Sequence, residues 1–264
     1  MGTQHRTNPF MSVLSLLGRL AYALSSLVFG IQYLIFARGT AGPGVGPPWP
    51  MGRPMWAYLA GLAFLAVGAS IAANLKGRDT SILVAIALAL LALLFYLPRL
   101  FANIHNPGPW TSGAEILALC GGALVLAGIL SGNSATARYR RTGSTTVTLG
   151  RYLFALTLIV FGVQHFLYAN FIATLITPWI PGHLFWAYFV GVAFFATTFA
   201  LISGRQAFLA STLLGTMFLL WFFLLHLPRV MASPHNGNEL TSAFIALAMC
   251  GSSFLIAGSL PELD

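Results

Sequence analysis

Residues 206–231 read QAFLASTLLGTMFLLWFFLLHLPRVM, an apolar run broken only near its end by Leu225-His226-Leu227-Pro228-Arg229. Ser233-Pro234-His235-Asn236-Gly237-Asn238-Glu239 follows directly. The run is long enough to cross a hydrocarbon core of about 30 Å as a helix rising about 1.5 Å per residue. Polar groups at the end of such a run are costly unless something pairs with them, so this end is singled out as a functional locus.

Similar runs recur along the chain, at about 12–37, 54–75, 80–102, 113–131, 150–171, 184–203, 206–231 and 242–260. The chain is 58% hydrophobic and 7% charged, whereas a soluble domain carries roughly 25% charged residues. The fold class expected is an all-α membrane protein with eight transmembrane helices. Ala21-Tyr22-Ala23 imitates a signal-peptide cleavage site, but Arg19 interrupts the stretch before it and the apolar run continues to Ala37, so cleavage is not expected.

The second half of the sequence repeats the first. Phe29-Gly30-x-Gln32 matches Phe161-Gly162-x-Gln164 at an offset of 132 residues, and past the first loop the offset becomes 130. At the second offset Pro48-Trp49 meets Pro178-Trp179, and Trp56-Ala57-Tyr58-x-x-Gly61 meets Trp186-Ala187-Tyr188-x-x-Gly191. Leu97-Pro98-Arg99 meets Leu227-Pro228-Arg229, His105-Asn106 meets His235-Asn236, and Cys120-Gly121 meets Cys250-Gly251. The reading is a tandem duplication: a first four-helix unit at 1–131, a basic linker at 132–149 and a second unit at 150–264. Four spans per unit make the repeat parallel, as two tandem four-helix bundles, rather than inverted.

The net charge of +8 comes from basic residues scattered singly through short loops, which reads as topology and not as a nucleic-acid surface. Of the 13 basic residues, nine fall at the N-terminus, the 75–80 turn, the linker with Arg151 and the 204–206 turn, while Arg38, Arg53, Arg99 and Arg229 lie opposite. Both termini are therefore expected in the cytoplasm of a multi-pass cell-membrane protein.

The polar end then lies outside. Gln164, His165 and Tyr168 share part of one helix face, with His165 about 21 Å across the membrane; His226 and Arg229 share another, with His226 about 30 Å across. Pro228 cannot donate to the carbonyl of Leu224, which frees an acceptor beside them and bends the helix. Such donors suit a quinone or another polar-headed lipid, whose carbonyls accept hydrogen bonds while the ring lies against Trp179 and Trp186. His235 completes the set, and the first-half counterparts are Gln32, Tyr33, Trp49, Trp56, Tyr96, Arg99 and His105.

Other readings stand beside this one. Haem could use His165 and His226 as axial ligands, but depths differing by about 9 Å speak against a shared iron. The Pro-Trp pairs serve equally as interfacial anchors, Arg99 and Arg229 as snorkelling side chains, and Arg229 as an ion-pair partner of Glu239. His105 and His235 read equally as solvated loop residues. Ser112-Gly113-Ala114-Glu115 matches a capping box opening the fourth span, so no carboxylate is expected within the membrane. Cys120 and Cys250, without a CxxC, are expected to be buried, and Gly121, Gly122, Gly128 and Gly251 to allow close helix packing. No metal spacing or nucleophile elbow occurs.

Phe161-Gly162-Val163-Gln164-His165-Phe166-Leu167-Tyr168-Ala169, Pro178-Trp179-Ile180-Pro181-Gly182 and Phe185-Trp186-Ala187-Tyr188-Phe189-Val190-Gly191 resemble the DoxX-like membrane proteins, a superfamily of four-helix units. Phe29 to Ala37 and Trp56 to Gly61 repeat the pattern more weakly. Relatives in that superfamily include membrane subunits of thiosulfate:quinone oxidoreductase. The resemblance implies a subunit of a quinone-linked redox system working beside a redox partner subunit in the lipid bilayer. The alternative is a non-enzymatic structural, lipid- or cargo-binding or small-solute transport protein. Oligomeric state is left open by the sequence.

Overall fold

A computed structural model describes residues 9–36, 54–130 and 144–260. Within them are nine helices: α1 (Pro9–Phe36), α2 (Pro54–Ala73), α3 (Gly77–Ala102), α4 (Pro107–Ile129), α5 (Thr145–Leu167), the short α6 (Ala169–Leu175), α7 (His183–Ser203), α8 (Ala207–Ala232) and α9 (Gly237–Ser259). All but α6 are long and apolar enough to cross a membrane, which makes this an all-α, multi-pass membrane protein.

Helix boundaries follow capping more than hydropathy. Asn106 and Asn236 adopt extended backbone, and their side-chain oxygens accept from the amides of Gly108 and Asn238, each at 3.0 Å. The repeated His-Asn pair therefore marks two helix starts, and α4 and α9 begin several residues before the apolar runs do. The same holds for α5, which opens at Thr145 inside the segment read as linker. Polar first turns dilute the hydropathy there while the backbone is already helical.

The interior is shared between the sequence halves. The first span α1 packs along the last, α9; α4 packs along α5 and also touches α9; α2, α3, α7 and α8 flank this central group. Close approach is set by glycine. A Cβ on Gly18 would stand 2.7 Å from the Gly251 carbonyl oxygen, and a Cβ on Gly251 would stand 2.8 Å from that of Gly18. Gly150 and Gly121 meet backbone to backbone in the same manner between α5 and α4. Cys120 and Cys250 are buried as expected, and the Cys120 thiol donates to the Ala85 carbonyl at 3.3 Å.

Two long spans are irregular at equivalent places. In α3 the residues Ala92–Tyr96, and in α8 the residues Phe222–His226, form a single π-helical turn immediately before Leu-Pro-Arg. The Leu97 and Leu227 amides reach back five residues, to the carbonyls of Ala92 and Phe222. Each proline lacks the N–H that a regular turn would use, and the wider turn accommodates its ring.

Candidate functional site

The second π-helical turn ends on His226, half-buried, and its Nδ1 is sealed from solvent with no hydrogen-bond partner. One turn on, Arg229 makes two hydrogen bonds. Its Nη2 donates to Glu239 Oε1 at 2.7 Å, and its Nη1 donates to the Leu175 carbonyl at 3.2 Å. One guanidinium thus ties the end of α8 to the first turn of α9 and the end of α6. Glu239 Oε2 remains buried without a partner. Among the described residues this is the one salt bridge.

The acceptor freed by Pro228 is also used. Thr177, just after α6, donates its hydroxyl to the Leu224 carbonyl at 3.3 Å. Nothing in the apolar pattern marks Leu175 or Thr177, because a carbonyl contact from a loop leaves no sequence period. The Arg229–Glu239 pair, in contrast, is one of the three roles the sequence leaves open to Arg229.

Aromatic side chains stand beside this end. Trp186 donates its indole N–H to the Pro181 carbonyl at 3.1 Å and sits edge-on to Trp221, with centroids 5.7 Å apart. Trp221 lies on α8 just before the π-helical turn, and the sequence did not single it out. Trp179 is 62% exposed and makes no ring contact among the described residues, so it faces outward. His235 and His105 are exposed loop residues, as their solvated reading expects.

The face on α5 does not act as one unit. His165 Nδ1 donates to the Phe161 carbonyl at 2.8 Å, and its ring lies edge-on to Phe194 of α7 at 5.1 Å. Gln164 turns to α4, where its Nε2 donates to the Pro107 carbonyl at 3.3 Å and its Oε1 accepts from Thr111 at 3.1 Å. Tyr168 is 37% exposed at the α5–α6 junction.

Gln32 makes the corresponding tie across the other seam. It is fully buried, and its Nε2 donates to the Gly237 carbonyl at 2.5 Å and to Thr241 Oγ1 at 2.7 Å. The two glutamines therefore clamp the first span of each half to the last span of the other. Thr111 and Thr241, related by the 130-residue offset, are the missing signal that would have revealed this.

Among the described residues of the first half no counterpart of the Arg229–Glu239 pair occurs. Tyr96, buried, replaces His226, and Pro109 replaces Glu239. Arg99 lies over the Phe95 ring at 5.7 Å. Tyr33 stacks on Phe64 at 5.7 Å in the core, and Trp56 is 43% exposed. Trp49 lies outside the described residues.

The capping-box reading of Glu115 is overturned. Because α4 starts at Pro107 with Asn106 as its cap, Glu115 sits eight residues inside the span, about 12 Å along it. A carboxylate does lie within the membrane-spanning region.

Fold and site together define a multi-pass helical membrane protein with one polar, ion-paired end. Comparison with family models, curated proteins and solved structures finds no match to this chain.

Proposed function

We propose that this chain is a DoxX-like protein of the cell membrane, with cytoplasmic termini, whose outer end binds a quinone head group as part of a quinone-linked redox system. The observation that carries the reading is the sealed, partnerless Nδ1 of His226, on the helix that carries Trp221 five residues earlier. A buried ring nitrogen without a partner is costly, and a ligand carbonyl or hydroxyl would satisfy it.

A bound quinone supplies two-electron, two-proton redox chemistry, with the electrons coming from a partner subunit. The residues of this chain have narrower tasks. His226 holds a proton at Nδ1 for a hydrogen bond to the head group. Arg229 acts at one remove: its ties to Glu239 and Leu175 fix the π-helical turn that aims His226. Trp186 and Trp221 shield the site from lipid and water.

The test is purification in mild detergent, followed by lipid extraction and an absorption spectrum. Quinone recovered with the wild-type chain and lost from His226→Phe supports the reading. A chain that carries none, and takes up none when short-chain quinones are added, refutes it. Arg229 holding three elements together favours a second reading, a non-enzymatic structural or carrier protein, and that negative result would support it.

A further inference from the structure

Gly18-Arg19 of α1 and Gly150-Arg151 of α5 are equivalent at the 132-residue offset, and both stand toward the end of the molecule opposite the Arg229–Glu239 pair. Gly18 meets Gly251 and Gly150 meets Gly121, and each of these partners lies eight residues before the end of its helix, at Ser259 or Ile129. Each arginine therefore leaves the backbone about 12 Å inside that end of the span.

Neither arginine has an acid beside it. Among the described residues no Asp or Glu oxygen lies within 4.0 Å of either guanidinium. Both side chains are half-buried, and in both the Nε is sealed from solvent without a hydrogen-bond partner. Arg19 makes no hydrogen bond or ring contact among the described residues, and its two Nη atoms are open. Arg151 is partly occupied: Nη2 donates to the Tyr152 hydroxyl at 3.3 Å, and the guanidinium lies 5.0 Å from the centre of that ring. Leu20 stands at the equivalent place beside Arg19.

An unused hydroxyl accompanies each guanidinium. A helical side chain covers the turn that precedes it, so Arg19 runs back over Ser15 and Arg151 over Thr148, four and three residues earlier on the same faces. Ser15 stands against Gly258 of α9. Its hydroxyl and that of Thr148 are neither sealed nor hydrogen-bonded among the described residues. Each face thus presents free guanidinium N–H groups and a hydroxyl, with no carboxylate to neutralise the charge.

A guanidinium within a span needs an anion, and a fork of N–H donors beside a hydroxyl matches the oxygens of a phosphate. The same end carries Lys76, Arg78 and Arg205 in the turns before α3 and α8, and such a basic rim draws anionic lipid. We propose that Arg19 and Arg151 each hold the phosphate of one anionic phospholipid in the leaflet at this end, which makes two repeat-related lipid sites per chain. Arg19 is the stronger site, because Tyr152 already takes up part of Arg151. The head group is acidic and not zwitterionic, since no acid beside either arginine would receive an ammonium group. The sites depend neither on which leaflet this is nor on the quinone reading.

The test is native mass spectrometry of the full chain, delipidated in detergent and titrated with phosphatidylglycerol, phosphatidylcholine or inorganic phosphate. Wild type should take up two phosphatidylglycerol molecules saturably, the first about tenfold or more tighter than phosphatidylcholine. Arg19→Gln should remove the tighter molecule, Arg151→Gln the weaker and the double variant both, whereas Arg99→Gln, at the other end, keeps both. Equal binding of the two lipids by wild type overturns the proposal even if a variant fails to fold. So does a double variant that binds phosphatidylglycerol like wild type, or an equal loss in Arg99→Gln. Inorganic phosphate that displaces the lipid as effectively as phosphatidylglycerol itself overturns the lipid as the occupant.

Discussion

Replacing Arg229 with Met removes the guanidinium while keeping most of the apolar stem. Two bonds are lost, the 2.7 Å ion pair to Glu239 and the 3.2 Å bond to the Leu175 carbonyl. Removing one partner of a fully buried pair costs about 3–5 kcal/mol. Here the side chains are 27% and 19% exposed, so screening reduces that figure. With about 1 kcal/mol for the carbonyl bond, Arg229→Met should cost about 2–3 kcal/mol. Glu239→Gln keeps an acceptor and should cost about 1 kcal/mol, with a coupling of about 1–2 kcal/mol in the double-mutant cycle. Arg99→Met loses a ring contact only and should cost under about 1 kcal/mol. The assay is unfolding in mixed micelles of increasing dodecyl sulfate fraction, followed by tryptophan fluorescence and far-ultraviolet circular dichroism. Equal costs for Arg99→Met and Arg229→Met, or a coupling below about 0.5 kcal/mol, would refute the asymmetry between the two ends.

Three further outcomes use the same unfolding assay. Thr177→Val should cost about 1 kcal/mol by orphaning the Leu224 carbonyl, and less in a Pro228→Ala background that restores a backbone donor; equal costs in both backgrounds would sink the idea. Gln32→Leu should cost more than Gln164→Leu, about 1–2 against under about 1 kcal/mol, because Gln32 is fully buried with the shorter bonds. The reverse order would contradict the clamp geometry. Gly150→Ala should cost at least about 2 kcal/mol, since its Cβ meets the Gly121 backbone rather than a movable side chain, and a neutral result would show that α4 and α5 can part freely.

The eight spans were legible because a run such as 206–231 can hardly be anything else, and Pro228 announced its irregular turn. The helix starts at Pro107, Thr145 and Gly237 were not, because their first turns are polar and lower the local hydropathy. That error hid Glu115, which looked like a cap only while α4 was thought to begin at Gly113. His226 and the Arg229–Glu239 pair could be read from spacing. The contacts to Leu175 and Thr177 could not, since they depend on how α6 folds back on α8. The glutamines were visible as polar residues in apolar spans, but their partners on the opposite half of the chain required the fold.

The central claim rests on His226, and titration of the chain in lipid nanodiscs with a short-chain quinone tests it most directly. Binding to wild type, Tyr96→Phe and His226→Phe is followed by tryptophan quenching. One saturable site is predicted, weakened about tenfold or more by His226→Phe, which corresponds to about 1.4 kcal/mol, and unchanged by Tyr96→Phe. Equal affinity in all three chains, or no saturable binding in wild type, would contradict it.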